Sequence, residues 1–401
     1  MSSTATQPTG NWSVVAIAAL ILAVIMGQLV NGLSAFFSPL EAEFGWSRAD
    51  ISLINTAGLV GLAIGGICMG LLADRFGVRR IALSGVIVSA TSLIMASQAA
   101  ALWQFYAIFL IAGTFGGGAV FGPLIALVGR WFTTGAGLAL GMVAAGQAMG
   151  QGAVPLVNVV LIETFGWRMA FLVFGLAIAI ALLPLALALK SPPAPSTAAP
   201  AASDTTTLPS GIIVLMMATA VFWCCTLMSI PLMHLIPLIE ACGIPATQAG
   251  GAMMVLMLAA IVGRVAFGHL ADVIGPVQAW FVASLWQTSL VFVFTGIGSL
   301  PLFLVFAPIY GFGYAGVMTT ILASLKALMP AAHRASTTGI VLASAWIGHG
   351  FGGYAGGALF DWTTDYTAAF GFAALAGVVN LIIVGSLWRL VSGPRSSAAL
   401  A

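Results

Sequence analysis

The chain has 401 residues, of which 61% are hydrophobic and only 5% charged, whereas a soluble domain carries roughly 25% charged residues to hydrate its surface. Twelve basic residues against ten acidic ones leave it near neutrality, with no electrostatic footprint for nucleic acid. A water-soluble globule and a nucleic-acid binder are excluded, and a protein that lives in the lipid bilayer remains.

A membrane-spanning helix needs about 20 mainly apolar residues. Cutting the sequence where charges, prolines and glycine clusters interrupt such runs predicts twelve helices, at 12–37, 50–72, 81–101, 103–128, 135–160, 168–189, 210–239, 247–271, 277–298, 301–325, 336–359 and 367–390. The first run has no cationic stretch before it and no cleavage signature, so it reads as a retained helix and not a signal peptide. "KSPPAPSTAAPAASDTTTLPS", Lys190 to Ser210, is a long polar, Pro-rich stretch and reads as a disordered linker. The domain plan is a tail over 1–11, a six-helix bundle over 12–189, a linker over 190–209, a second bundle over 210–391 and a tail over 392–401. Cys68, Cys224, Cys225 and Cys242 form no CxxC pair and read as small buried hydrophobes.

Orientation follows from the Lys and Arg in the loops. Even loops and termini hold Arg75, Arg79, Arg80, Arg130, Lys190, Lys326, Arg334, Arg389 and Arg395, while odd loops hold Arg48 and Arg168. Both termini and the linker are therefore expected on the cytoplasmic side of the plasma membrane. The twelfth cation, Arg264, is in no loop.

The sequence repeats itself. "GLLADRFG", Gly70 to Gly77, returns as "GHLADVIG", Gly268 to Gly275, an offset of 198 residues. The same offset pairs Pro39 with Pro237, Gly45 with Gly243, Gly113 with Gly311, Gly141 with Gly339, Gly150 with Gly348, Gly152 with Gly350 and Glu163 with Asp361. Two six-helix halves of the same orientation are parallel repeats about an axis along the membrane normal, and such carriers bind substrate near the midplane between the halves.

"GLLADRFGVRR" resembles the signature between the second and third helices of the major facilitator superfamily. "FFSPLEAEFGWSRADIS", Phe36 to Ser52, and the lone arginine of helix eight resemble its monocarboxylate-transporter and oxalate/formate-exchanger branch. The resemblance implies an all-α membrane fold of twelve helices in two pseudo-symmetric bundles, and transport by alternating access. It also implies that Asp74 with Arg75, Arg79 and Arg130, framed by Gly70 and Gly77, latches the bundles when the protein is open outward. Independently of family, an acid at the C-terminal end of a helix faces the negative end of the macrodipole and needs a cationic partner. A purely topogenic charge cluster is the competing reading. In the second copy Asp272 is followed by Val273, which weakens any latch there. On the opposite face "WSRAD" is a capping box, with Ser47 and Asp50 satisfying the first N–H groups of helix two. "GFGYAG", Gly311 to Gly316, lacks a preceding strand and a downstream acid and is not read as a nucleotide loop.

Arg264 lies about eight residues, hence roughly 12 Å, from the helix edge at Asp272. Placing arginine at a helix centre costs on the order of 3 kcal/mol, so it must face a cavity or a partner. The ten acids, Glu41, Glu43, Asp50, Asp74, Glu163, Asp204, Glu240, Asp272, Asp361 and Asp365, all fall in loops or at helix ends. A guanidinium fork with no internal carboxylate suits an external one; backbone carbonyls and water are the alternative partners. Helical spacing places further candidates on shared faces: Gln28 with Asn31, Gln147 with Gln151, Tyr310 with Tyr314, and Trp346 with His349. His234 and His349 are the titratable groups expected near that cavity, and His269 is expected at the interface.

Compared with proton-coupled animal relatives, Ala260 stands where they carry an acid and Asn31 where they carry a lysine. Oxalate exchangers add a lysine on helix eleven, for which His349 is the nearest equivalent. The expected cargo is a small organic anion, a monocarboxylate such as lactate, pyruvate or formate, with protons or a counter-anion as the driving partner. Efflux of an amphipathic or drug-like compound is the alternative. No enzymatic activity, cofactor or metal is expected, and a monomer is.

Overall fold

The computed structural model describes residues 11–132, 136–190, 210–330 and 334–392. The expected tails and the core of the linker, 191–209, lie outside the described residues. Inside a bilayer no water satisfies backbone groups, so each crossing segment must close its own hydrogen bonds as a helix. Twelve long helices result: α1 Trp12–Phe44, α2 Arg48–Phe76, α3 Val78–Ala96, α4 Leu102–Trp131, α5 Ala136–Phe165, α6 Trp167–Leu187, α7 Ser210–Ala241, α8 Ala246–Ile274, α9 Pro276–Gly296, α10 Leu300–Leu328, α11 Arg334–Thr363 and α12 Thr367–Ser392.

Eleven of them are long and apolar enough to cross a membrane. The exception, α11, is 30 residues long, roughly 45 Å of helix, but it is rich in Gly, Ala, Ser and Thr and carries His349. Its lower hydropathy follows from its place between α2 and α7. Large aliphatics such as Ile180, Leu215 and Val265 point outward, which lipid tolerates and water does not. Cys224 and Cys225 are buried, but Cys68 and Cys242 are exposed, which corrects the expectation for those two.

Most of the helices run beyond the expected spans, whereas α3, α6 and α9 end short of theirs, at Ala96, Leu187 and Gly296 in place of 101, 189 and 298. α2 begins at the predicted capping box: Ser47 Oγ accepts from Asp50 N at 3.1 Å, and the Asp50 carboxylate accepts from Ser47 N at 3.4 Å. α1 is not uniform. Its hydrogen bonding loosens to a π turn over Gly27–Asn31 and tightens to a 3-10 turn over Gly32–Phe36. α4 carries a π turn at Ala112–Gly117. "GFGYAG" is ordinary helix inside α10.

The repeat is visible in the backbone. Positive φ occurs at Gly45 and Gly243 (68° and 76°), Gly77 and Gly275 (88° and 99°), and Gly166 and Thr364 (80° and 60°). All three pairs are 198 residues apart. The same turns therefore end the same helices twice, and only Thr364 meets the left-handed requirement with a β-branched side chain, at a steric cost.

Buried apolar residues gather into two clusters, one spanning 14–189 and one spanning 213–387, with Met233 and Trp346 of the second half reaching into the first. The halves meet along two symmetric seams, α2 with α11 and α5 with α8. Gly350 approaches Thr56 in one seam and Gly152 approaches Met254 in the other, again 198 residues apart. A side chain at either position would press on the facing helix. At a lipid-embedded seam, association rests on close backbone packing instead of the hydrophobic effect.

Candidate functional site

Between the halves lies a cavity of about 310 Å³, within the size range of small-molecule sites. Its walls pair off by the repeat: Val30 with Met228, Gln147 with Ala345, Gln151 with His349. The cavity therefore straddles the pseudo-two-fold axis. Its chemistry is lopsided. Arg264 of α8 and Tyr314 of α10 come from the second half, and the positions 198 residues earlier are Gly66 and Gly116.

Arg264 lines this cavity, and among the described residues it forms no hydrogen bond or ion pair; its buried Nε has no acceptor. Ion pairs among the described residues include Arg48–Glu41 and Arg168–Glu43, both distant in sequence from α8. Of the other predicted site residues, Gln147, Gln151, Tyr314, Trp346 and His349 line the cavity with it. Trp346 meets Phe121 of α4 edge-on at 5.4 Å between ring centroids, a contact that joins the halves, and it touches the His349 ring.

Gln28, Asn31 and Tyr310 are not among the lining residues. Tyr310 is fully buried against Phe294 in the second half. Asn31 donates to the Gln151 backbone carbonyl at 3.0 Å, and Gln28 accepts from Asn158 at 2.8 Å. These amides tie the irregular turns of α1 to α5, leaving Asn31 Oδ1 and Asn158 Oδ1 buried without donors. They support the wall that presents Gln151. His234 is likewise away from the cavity: its Nε2 donates to Gly353 O at 2.8 Å, and its Nδ1 lies 3.4 Å from the Tyr366 hydroxyl. His269 is exposed, as expected of an interfacial side chain.

The face carrying Arg48 is held shut by contacts the sequence did not announce. Asp361, at the end of α11, accepts from Arg48 N at 3.0 Å and Ala49 N at 2.8 Å, capping α2 from the other half. The Arg48 guanidinium donates to the Tyr366 hydroxyl at 2.5 Å, pairs with Glu41 at 2.7 Å and lies 3.8 Å over the Phe360 ring. Ser38 donates to Glu240 at 2.8 Å, and Thr56 donates to Gly350 O at 2.8 Å. The one advance signal was the pairing of Glu163 with Asp361 in the repeat.

On the opposite face Asp74, Arg75, Arg79, Arg130 and Asp272 are exposed. Asp74 makes no ion pair among the described residues, and Arg75 instead lies 5.3 Å from the Phe76 ring. Gly70 lies within the last two turns of α2, and Gly77 makes the turn after it with a φ of 88°. The cavity lining extends toward this face through Ile125, Leu322 and Thr338, close to the helix ends there. The two halves are thus clasped at Arg48, and among the described residues Asp74 makes no ion pair across them.

Two six-helix bundles around a central cavity define a membrane carrier. The family model described as Major Facilitator Superfamily matches residues 18–294 and 215–401, and the chain belongs to that superfamily of transporters. It is similar to monocarboxylate transporter 13 of Bos taurus, at 27% identity over 95% of this chain and 91% of that one. It is 28% identical to MFS-type transporter 1 of Ophiocordyceps sp., over 79% of this chain and 71% of that one. Among solved structures, a nucleoside transporter superposes with a TM-score of 0.72 at 13% identity, covering 95% of this chain and 100% of that one. A bacterial homologue of the human lysosomal transporter Spinster, inward-facing and unoccupied, also gives 0.72, at 15% identity over 94% and 95% of the two chains. These two likenesses speak to fold alone.

Proposed function

We propose that the protein carries a small organic anion, a monocarboxylate of the lactate, pyruvate or formate type, across the plasma membrane by alternating access. The observation that carries this is Arg264: a guanidinium in the central cavity with no acid beside it, whose charge a carboxylate would balance. The planar fork accepts a carboxylate through two parallel hydrogen bonds, in a place where few waters compete. One permanent cation favours one negative charge over two. His349, the repeat mate of Gln151, is where a proton enters if transport is proton-coupled; if it is not, a counter-anion exchanges at the same arginine. The name of one relative reported above, monocarboxylate transporter 13, agrees with a monocarboxylate. In the proposed cycle, the Arg48 clasp and the Asp74 cluster form in alternation, with the Asp74 face on the cytoplasmic side that the loop charges favour.

The test is uptake of lactate, pyruvate, formate and oxalate into proteoliposomes, with and without a pH gradient, for wild type and Arg264→Ala. Saturable uptake that requires Arg264 supports the proposal. Uptake indifferent to the substitution refutes it. The apolar character of the cavity wall keeps one second reading in play, efflux of an amphipathic compound; export of a neutral or cationic lipophile unaffected by Arg264→Ala would establish that instead.

A further inference from the structure

The second half carries a surface groove that shares no residue with the central cavity. Val378, Leu381, Ile382, Gly385, Ser386 and Arg389 of α12 line it, at the spacing of one helix face, and Phe281 of α9 forms its other wall. From Val378 to Arg389 the stripe rises about 16 Å, close to the ~15 Å that one leaflet contributes to the hydrocarbon core. Its deep part is aliphatic, and its outer end is an arginine in the last turn of α12. A Cβ at Gly385 would stand 3.4 Å from the Phe281 ring, so a larger side chain there would fill the notch between α12 and that ring. The positions 198 residues earlier, Leu83 and Leu187, have neither the ring nor the glycine.

The outer end of the groove is positive from two directions. Arg389 is exposed and makes no ion pair among the described residues. Phe281 meets Trp388 at 5.7 Å between ring centroids, which brings Arg389 within about two helical turns of the α9 N-terminus. There Gly275 precedes Pro276 and no side chain caps the helix, so its first N–H groups present the positive end of the helix dipole. Trp388, beside Arg389, is a side chain suited to the headgroup level. The ammonium of a zwitterionic headgroup would add a third positive group to this corner, whereas a phosphate without one is complementary to it.

We propose that this groove binds an anionic glycerophospholipid of the leaflet on the Asp74 face. One acyl chain lies along 378–385 against the Phe281 ring, and the phosphate sits at Arg389. Val378 and Ile382 are exposed on a face that the bilayer covers, so lipid is the molecule that reaches the groove. The length of the stripe matches one chain, and the charge at its end selects the headgroup.

The experiment is native mass spectrometry of the detergent-purified full chain, titrated with dioleoyl-phosphatidylglycerol or dioleoyl-phosphatidylcholine. An arginine at the membrane surface is worth about fivefold in affinity for anionic lipid. Wild type is therefore expected to bind its first phosphatidylglycerol about fivefold or more tightly than its first phosphatidylcholine. Arg389→Gln is expected to bring the two within about twofold, and Arg389→Lys to keep the preference. Gly385→Leu, which fills the notch, is expected to weaken both lipids and leave the preference in place. Equal binding of both lipids by wild type overturns the inference, as does a preference unmoved by Arg389→Gln or an affinity unmoved by Gly385→Leu. Displacement of bound phosphatidylglycerol by glycerol 3-phosphate, which has the phosphate and no chains, would assign a soluble-phosphate site and overturn it likewise.

Discussion

Removing the arginine separates a working cation from a structural one, because the two roles move stability in opposite directions. In Arg264→Ala the carboxylate loses two charge-assisted hydrogen bonds, each worth ~1.5–3 kcal/mol. The loss is at least ~3 kcal/mol, or more than a hundredfold in affinity. Arg264→Lys keeps the charge but not the fork, so about one such bond is lost and affinity falls roughly tenfold. The empty protein behaves differently. A guanidinium without a partner costs on the order of 3 kcal/mol at the centre of a spanning helix, and nothing described in the structure repays that cost. Arg264→Ala should therefore melt at the same temperature as wild type or higher. The assays are initial uptake rates over a range of substrate concentrations, and thermal unfolding in detergent without substrate. A clear drop in Tm for the alanine variant, or uptake within threefold of wild type, would refute the assignment.

Arg48→Ala removes the Tyr366 hydrogen bond and the cation over Phe360, together worth about 2 kcal/mol between the halves; paired spin labels across the Arg48 face should show a shift of roughly thirtyfold toward the separated population. His349→Gln should abolish any rise of uptake on acidification, since a protonated imidazole adds a positive charge beside the anion; a pH–rate profile identical to wild type would remove His349 from proton coupling. Thr364→Gly relieves a left-handed strain of about 1–2 kcal/mol at some cost in chain entropy and should leave Tm unchanged or raise it. Gly166→Val, at the paired position, should lower stability by about 1–2 kcal/mol, read by thermal unfolding.

What could be read in advance divides along physical lines. The twelve helices and the repeat were legible because lipid imposes a length on every apolar run and the 198-residue register survives in glycines whose φ is positive. Arg264 was legible because a charge among apolar neighbours is conspicuous whatever the fold. The faces of Gln28, Asn31 and Tyr310 were not. In a helix that is apolar all round, period 3.6 shows which residues lie together but not whether they meet a cavity, a neighbouring helix or lipid. The turns at Gly27–Asn31 and Gly32–Phe36 also shift the register of α1 just where two of these residues sit. Nor was the clasp at Arg48 legible, because its partners Asp361 and Tyr366 lie more than 300 residues away. Charge counting marks the face on which Arg48 belongs and says nothing of whom it meets.

The isolated guanidinium has a bearing on leakage. For a carrier to change its exposure, the cavity must pass through a moment when both ends are sealed. With no cargo aboard, that moment strands a full positive charge in a dry, low-dielectric interior, a costly arrangement. A bound acid cancels the charge and lowers the toll. On the proposed function, loaded protein would then turn over faster than empty protein, so that cargo for cargo would be traded readily and idle cycling that would dissipate a gradient would be slow. One unpaired side chain would thus serve as both the seat and the turnstile.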